Sequence, residues 1–391
     1  MRPIVAVSIG LAALIGVMQG CSGSPTNSGF EPGSSSGGSS GGGSGSGSGG
    51  GSSGGSSGGS SGGGSSGSLA GDGGTITNEA GDGSITITNT VYAHTDDTLY
   101  SVDPQTQKVT VIGPFVGTAG PDSSTNGAVT DLAVNSNDEV YVNTESVVYK
   151  AALPAGGTGN VNLTPVTTIT TTSATKFFAL GFAPVGSLDP NIEVLIGGDS
   201  SGSLYSIVTT GTNLGKATNL GNFGADKSIS GNTFELSGDV VFYTDPKNGP
   251  TGLATIRSCP PGGSGSKCKG DYLAGVDMAA LKTAYTNGST ATTLLKGIYG
   301  GSAAGPGPGT GFGDVFGLGA WNSTVFGFTR NIKASSTSPA TSPTLITIDT
   351  TSGAGTAVPG ASFSFSNGWS GAGVTTKVTI SVPPPPPPPA Q

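Results

Sequence analysis

A strand–turn–strand pattern recurs through the middle of this chain and constrains its fold more than any other feature. Residues 98–112 read Thr-Leu-Tyr-Ser-Val-Asp, a turn that contains Pro104, and then Lys-Val-Thr-Val-Ile. An Asp side chain accepts hydrogen bonds from turn amides and Pro fixes φ, so this order is typical of a β-hairpin. Residues 203–218 and 344–358 repeat it, and looser copies begin at Val147 and Tyr272.

Further pairs of apolar, β-branched segments precede these hairpins, at residues 129–143, 178–197 and 315–329. Together they give about four strands in every 50–70 residues or so, a period that is typical of propeller blades. The sequence therefore predicts an all-β fold, a β-propeller of about five four-stranded blades, with five to seven allowed by the less clear copies. A pair of β-sandwiches is the alternative. Only Asp277 to Tyr285 predicts a helix.

The blade pattern Leu-Tyr-x-Ile/Val-Asp, followed by Thr-Gly and Thr, resembles that of secreted β-propeller proteins, including the quinoprotein type. The resemblance covers most of Thr90 to Ile380. It implies an extracytoplasmic propeller but no particular activity, because the matching residues specify strands and turns.

The end of this region predicts that the ring closes. Residues Trp369 to Ile380 form a strand pattern with no hairpin partner after it. Pairing with the first blade, near Thr90 to Ala93, would remove an open sheet edge that otherwise invites aggregation.

The N-terminus resembles a bacterial lipoprotein signal. Arg2 precedes an apolar stretch from Ile4 to Met18, and Gly20 then precedes Cys21. The resemblance implies a signal peptide at residues 1–20, cleavage before Cys21 and acylation of its thiol, for example with palmitate. Ser22 follows the Cys, which by the enteric sorting convention points to the outer membrane. An ordinary secretory signal or a short membrane anchor are the alternatives.

Two low-complexity segments flank the predicted propeller domain, which we place at residues 84–380. Residues 21–83 form a linker in which residues 33–68 are all Gly or Ser, a composition that predicts a disordered tether. Residues 381–391 form a polyproline tail, with Pro383 to Pro389 uninterrupted. Such a tail favours a stiff polyproline II rod. We expect a terminal spacer, the alternative being a ligand for an aromatic groove.

The charge of the chain limits the partners that it can bind, and its cysteines indicate a covalent crosslink. The formal net charge is −8, and Lys and Arg are scattered, so no basic surface for nucleic acid is expected. Cys259 and Cys268 are the two thiols that remain once Cys21 is acylated. In an exported chain they predict a disulfide.

Few residues suggest catalytic chemistry. The single histidine, His94, lies in Tyr-Ala-His-Thr-Asp-Asp and could be a base oriented by Asp96, a metal ligand, or a structural residue. No metal site and no cofactor is predicted, because zinc needs several His or Cys ligands. Several polar residues near strand ends could share one face, although turn formation also explains them: Asp122, Asp131, Asn137, Asp138, Asp199 and Asp314.

These features predict a surface-tethered lipoprotein of the cell envelope that faces the periplasm or the exterior and acts as a binding or scaffold module. We expect contact with the membrane through the lipid, a protein or glycan ligand, and a monomer. The composition favours a non-enzymatic role. The alternatives are a propeller hydrolase or lyase, with or without a metal-assisted site, and a structural envelope protein. Asp side chains clustered at the propeller axis would favour the enzyme.

Overall fold

The computed structural model describes most of the chain from Thr90 onward. The residues described are 90–117, 128–172, 175–262, 267–302, 306–330, 342–363, 368–377 and 380–387. The predicted signal peptide, Cys21 and the Gly/Ser tether lie outside these ranges, as does Asp122. No helix within them is long and apolar enough to cross a membrane.

The described residues form twenty strands and one helix. In chain order the elements are β1 (Val91–His94), β2 (Thr98–Val102), β3 (Val109–Val116), β4 (Asp131–Val134), β5 (Val140–Asn143), β6 (Val147–Ala152), β7 (Val161–Thr168), β8 (Phe177–Ala183), β9 (Val194–Asp199), β10 (Ser203–Ile207), β11 (Ala217–Asn222), β12 (Thr233–Asp245), β13 (Gly249–Cys259), β14 (Lys269–Val276), α1 (Met278–Asn287), β15 (Leu295–Ile298), β16 (Val315–Trp321), β17 (Thr324–Thr329), β18 (Thr344–Ile348), β19 (Gly355–Ser362) and β20 (Gly371–Val374).

These strands make five antiparallel blades of four strands each, which confirms the predicted propeller and its lowest predicted blade number. From the inside outwards, blade 1 is β20-β1-β2-β3, blade 2 is β4 to β7, blade 3 is β8 to β11, blade 4 is β12 to β15 and blade 5 is β16 to β19. The five inner strands β20, β4, β8, β12 and β16 contact one another in a closed ring. A short parallel pairing of β3 with β7 also joins blades 1 and 2 into one sheet.

The ends of the chain close the ring as predicted. Strand β20 pairs antiparallel with β1, with Val374 opposite Val91 and Gly371 opposite His94. The strand is shorter than its sequence pattern, because the backbone leaves the sheet after Val374. Trp369, which precedes it, is fully buried and packs edge-on against Tyr100 and Phe328.

The described residues after β20 stay in contact with the domain at the far end of the axis, where Thr375 donates to the Asn135 carbonyl of blade 2. The amide of Ile380 donates to the Thr244 carbonyl at 3.3 Å, and that of Ser381 donates to the Asn322 carbonyl at 2.9 Å. The Val382 amide donates to Asp245 Oδ2 at 3.2 Å. Ile380 and Val382 are 0% and 1% exposed. Both side chains belong to the hydrophobic core that blades 1, 4 and 5 share.

The helix and the cysteine pair lie where the sequence predicts them. Asp277 caps α1 by accepting hydrogen bonds from the amides of Ala279 and Ala280. Cys259, at the end of β13, forms a disulfide with Cys268, with 4.2 Å between their Cα atoms. The bond therefore closes the connection between β13 and β14.

We predict that truncation after Phe365 abolishes cooperative folding of the whole domain. The truncation removes Trp369 and β20, so it leaves the β1 edge unpaired and opens a cavity beside Tyr100 and Phe328. Thermal unfolding followed by circular dichroism would test this. A truncated chain that melts like the intact one would contradict the importance of closure.

We predict that replacing both Cys259 and Cys268 by Ser lowers the free energy of unfolding by about 2–3 kcal/mol and leaves the fold unchanged. The closed loop spans a sequence separation of only 9 residues, so the entropic contribution is modest. Urea unfolding of the oxidised protein and the double variant would measure the difference. Loss of all β-structure in the variant would show that the bond does more than close a local loop.

Candidate functional site

The propeller axis opens at the end where the inner strands begin. A cavity of about 30 Å³ lies there, bordered by residues at or just before the starts of β4, β8, β16 and β20 and by a residue within β12. These border residues include Thr130, Phe178, Gly238, Phe316 and Ser370, and the cavity also contacts Asp96, Glu145 and Arg330. We call this opening the axial mouth.

On one side of the axial mouth, the Arg330 side chain links blade 5 to blade 1. The Arg330 guanidinium lies 3.2 Å from Asp96 Oδ2, and its carbon lies 5.5 Å from the centroid of the Phe316 ring. The Ser370 hydroxyl donates to Asp96 Oδ1. The side chains of Arg330 and Asp96 are 17% and 14% exposed, so this ion pair is largely shielded from water yet reaches the cavity.

The other side carries a second acid–base pair. Lys176 Nζ lies 2.8 Å from Glu145 Oε2, and the Glu145 carboxylate is 14% exposed. Thr130 also borders the cavity and donates its hydroxyl to the Phe177 carbonyl at 3.0 Å. The axial mouth therefore presents two carboxylates, a guanidinium and hydroxyl groups around one small opening.

Two buried carboxyl groups form the floor beneath the mouth. Asp131 directly follows Thr130, and Asp239 directly follows Gly238. Asp131 Oδ2 accepts the amide of Leu180 in β8 at 2.6 Å, and Asp239 Oδ2 accepts the amide of Leu318 in β16 at 2.6 Å. Each carboxyl thus satisfies a backbone donor on the axial edge of a neighbouring inner strand, a group that has no strand partner.

Burial sets the protonation of this floor. Desolvation, followed by the charge of Asp239, raises the pKa of Asp131 well above its ordinary value. Desolvation also raises the pKa of Asp239 to about 8. Because a carboxyl in low dielectric resists ionisation, we expect at least one of the two groups to hold a proton at neutral pH.

His94 lies beside the floor and is fully buried. Its Nδ1 lies 2.7 Å from the Thr95 carbonyl oxygen, which can only accept, so Nδ1 carries the proton. Its Nε2 lies 4.0 Å from Asp131 Oδ1. A Cβ on Gly371 would be 2.5 Å from Nε2 and would overlap Asp131 Oδ1, so the β20 residue here has to be glycine. Desolvation lowers the pKa of His94 to about 4, so the ring is neutral.

The structure separates the two candidate residues of the sequence. Asp96 binds Arg330 and Ser370 in the mouth, whereas His94 faces Asp131 below it. The described contacts therefore do not make Asp96 the residue that orients His94. His94 is not a solvent-exposed base, because its side chain is 0% exposed.

Of the strand-end residues considered from sequence, Asp131 reaches the axis. Asp199 caps the turn before β10, Asp138 pairs with Lys377, and Asp314 lies 4.0 Å from Arg257. Asn137 lies in the turn before β5, where its amide donates to Asn135. Asp239 was missed, although a single acid between Gly238 and an apolar run is a signal that could have identified it.

Within the described residues, one group of three side chains meets the spacing of a metal site, namely Glu235, Cys259 and Cys268. Two of its three ligand atoms are the disulfide sulfurs, so this group is not a preformed site. The axial mouth offers paired charges for recognition, and its floor offers a shielded proton.

Some solved protein structures are remotely similar to this chain. No family model and no curated protein matches this chain. A protein of unknown function from Bacteroides caccae matches with a TM-score of 0.33 and 8% identity, over 73% of this chain and 97% of that one. The Dos1 propeller matches with a TM-score of 0.29 and 8% identity, over 75% of this chain and 77% of that one. The extracellular domain of a putative one-component system of B. thetaiotaomicron matches with a TM-score of 0.26 and 12% identity, over 68% of this chain and 39% of that one. Because these scores are low, the propeller assignment rests on the strand pairing of this chain.

We predict that the domain loses stability as pH rises from about 6.5 to 8. Asp239 holds its proton to about pH 8 when folded, against an ordinary pKa of 3.8, so the folded state binds more protons across this interval. Asp271, whose pKa burial raises to about 7, acts in the same direction. His94 acts oppositely, but only between about 4 and 6.5.

Urea unfolding at several pH values would measure this dependence. Asp239→Asn should reduce the slope between pH 6.5 and 8 by up to about 1.4 kcal/mol per pH unit, the linkage of one proton. Asp349→Asn is the matched control, because the pKa of this exposed turn residue is lowered and its linkage lies at acidic pH. Equal slopes for the wild type and the Asp239 variant would contradict a proton held by Asp239.

Proposed function

We propose that this chain is an extracytoplasmic, lipid-anchored protein whose propeller binds a polar ligand at the axial mouth. The observation that carries the proposal is the asymmetry of the axis. At one end, residues 375–377 contact blades 2 and 3 and residues 380–382 contact blades 4 and 5, with Ile380 and Val382 buried in the core. The opposite end keeps a small cavity lined by charged and hydroxyl groups.

The size of the mouth indicates what it holds. A cavity of about 30 Å³ has room for one small group. We therefore infer that the mouth receives a polar group projecting from a larger ligand, such as a side chain of a protein or a hydroxyl group of a glycan. The partly shielded Arg330–Asp96 pair would supply a fixed donor and a fixed acceptor.

The same geometry favours binding over catalysis. A general acid or base needs to reach the proton that it transfers. The unusual titrating groups at the axis, His94, Asp131 and Asp239, are 0% exposed, and the carboxyls are occupied with backbone amides of other blades. We assign to them the role of a structural floor under the ligand.

The extracytoplasmic part of the proposal is supported by the Cys259–Cys268 disulfide. Such bonds persist in oxidising compartments. A lipidated Cys21 and the Gly/Ser tether would then display the propeller away from the membrane surface, where its mouth is open to large partners.

We predict that Arg330→Met weakens ligand binding at least tenfold. The substitution leaves Asp96 without its cationic partner and removes the donor from the mouth. Purified protein would be screened on a glycan array and against fractionated envelope proteins, and the affinity of each hit would be measured for wild type and variant. Lys282→Met on α1, outside the mouth, is the matched control. Hits that bind both variants equally would contradict the axial mouth as the site.

We predict that Cys21→Ser abolishes labelling by a palmitate analogue and releases the protein from membranes. Acylation requires the thiol, whereas export depends on the preceding apolar stretch. Membrane fractionation would measure the distribution of the protein. Retention of the variant in the membrane fraction would contradict lipid anchoring and favour a membrane-spanning anchor.

A further inference from the structure

The proline segment that follows Val382 lies on blade 4. Its landing surface is a pair of glycines that face each other across the two outer strands, Gly275 in β14 and Gly297 in β15. We call this pair the glycine trough. Pro385 is buried against it, whereas Pro383 and Pro384 are exposed.

The trough has the shape of the segment that occupies it. A Cβ on Gly275 would lie 2.7 Å from Pro385 Cγ, and a Cβ on Gly297 would overlap the carbonyl oxygen of Pro386. The atoms nearest to a Cβ on Gly297 would be the carbonyl oxygen and carbon of Pro386 and the Cβ of Pro385. The missing side chains therefore make room for this segment.

The segment is attached in two different ways along its length. Up to Val382 it is held by backbone hydrogen bonds and by buried aliphatic side chains. Residues Pro383 to Pro389 have no backbone N–H group, so they cannot add donors to a ladder. Pro385 and Pro386 contact the glycine trough by packing alone, so their departure would break none of the hydrogen bonds made by residues 380–382.

An apolar cavity of about 250 Å³ adjoins the trough. Phe223, Phe234, Leu295 and Ile298 line it, and Pro386 and Pro387 form part of its wall. The proline segment thus covers apolar surface that would face water if the segment moved away. A proline-rich chain already has the extended conformation that such a site needs, so it loses little entropy on docking.

We infer that the glycine trough is a docking site for polyproline II segments, occupied in cis by the chain's own Pro383 to Pro387. The occupant is released while residues 380–382 stay attached, and the vacated trough then accepts a proline-rich peptide in trans. The site lies on the outer strands of blade 4 and is separate from the axial mouth.

The test uses a fluorescent peptide with the sequence of residues 381–389, Ser-Val-Pro-Pro-Pro-Pro-Pro-Pro-Pro. We expect the full chain, whose trough is occupied, to bind it at least tenfold more weakly than a chain that ends at Val382. A second variant, in which Pro383 to Pro389 are all Ser, keeps the chain length and should also bind. Fluorescence anisotropy would give the affinities, and circular dichroism would confirm that each variant is folded.

Substitution of the trough separates specific docking from adhesion elsewhere. In the shortened chain, Gly297→Val should abolish peptide binding, because its side chain fills the position of the Pro386 backbone. Gly156→Ala is the matched control, since a Cβ there meets no atom within 4 Å. Folded chains that lack the prolines and do not bind the peptide would overturn the inference. So would peptide binding that survives Gly297→Val or is equal in the full chain.

Discussion

The central constraint on this structure is the need to satisfy the backbone edges that face the propeller axis. Each inner strand has a blade partner on one side only, so its other edge points to the ring centre, where water is excluded. Asp131 and Asp239 meet this need by accepting amides from Leu180 and Leu318 of neighbouring blades. Their burial, raised pKa values and the closeness of the inner strands all follow from this arrangement.

Local sequence was enough to predict the blades. The hairpins at residues 98–112, 203–218 and 344–358 carry both the alternation of strands and the turn residues that reverse the chain, so they specify their own pairing. Ring closure could also be predicted, because a strand without a neighbour at each end of one domain has an obvious partner. The structure pairs only Gly371–Val374 with β1, and Thr375 contacts blade 2 instead.

The site could be predicted only in part. Asp96 and His94 stood out by residue type, but their different depths depend on how blade 5 and β20 meet blade 1. Asp239 lies within a buried apolar strand, and its role depends on an amide 79 residues away along the chain. The proline segment was expected to be a terminal spacer, and nothing near it in sequence shows that Gly275 and Gly297 face each other on blade 4. Contacts between remote segments are what local patterns omit.

The pairing of β20 with β1 also has a consequence for the order of assembly. Blade 1 obtains its inner strand from residues 371–374, which are synthesised after the other four blades. Until then β1 presents an open edge, and Trp369 is not yet available to cover Tyr100. A nascent chain therefore has to wait in an incomplete ring with an exposed, aggregation-prone edge. Blade 1 is therefore the last blade that can be completed, although it contains the first strand of the domain.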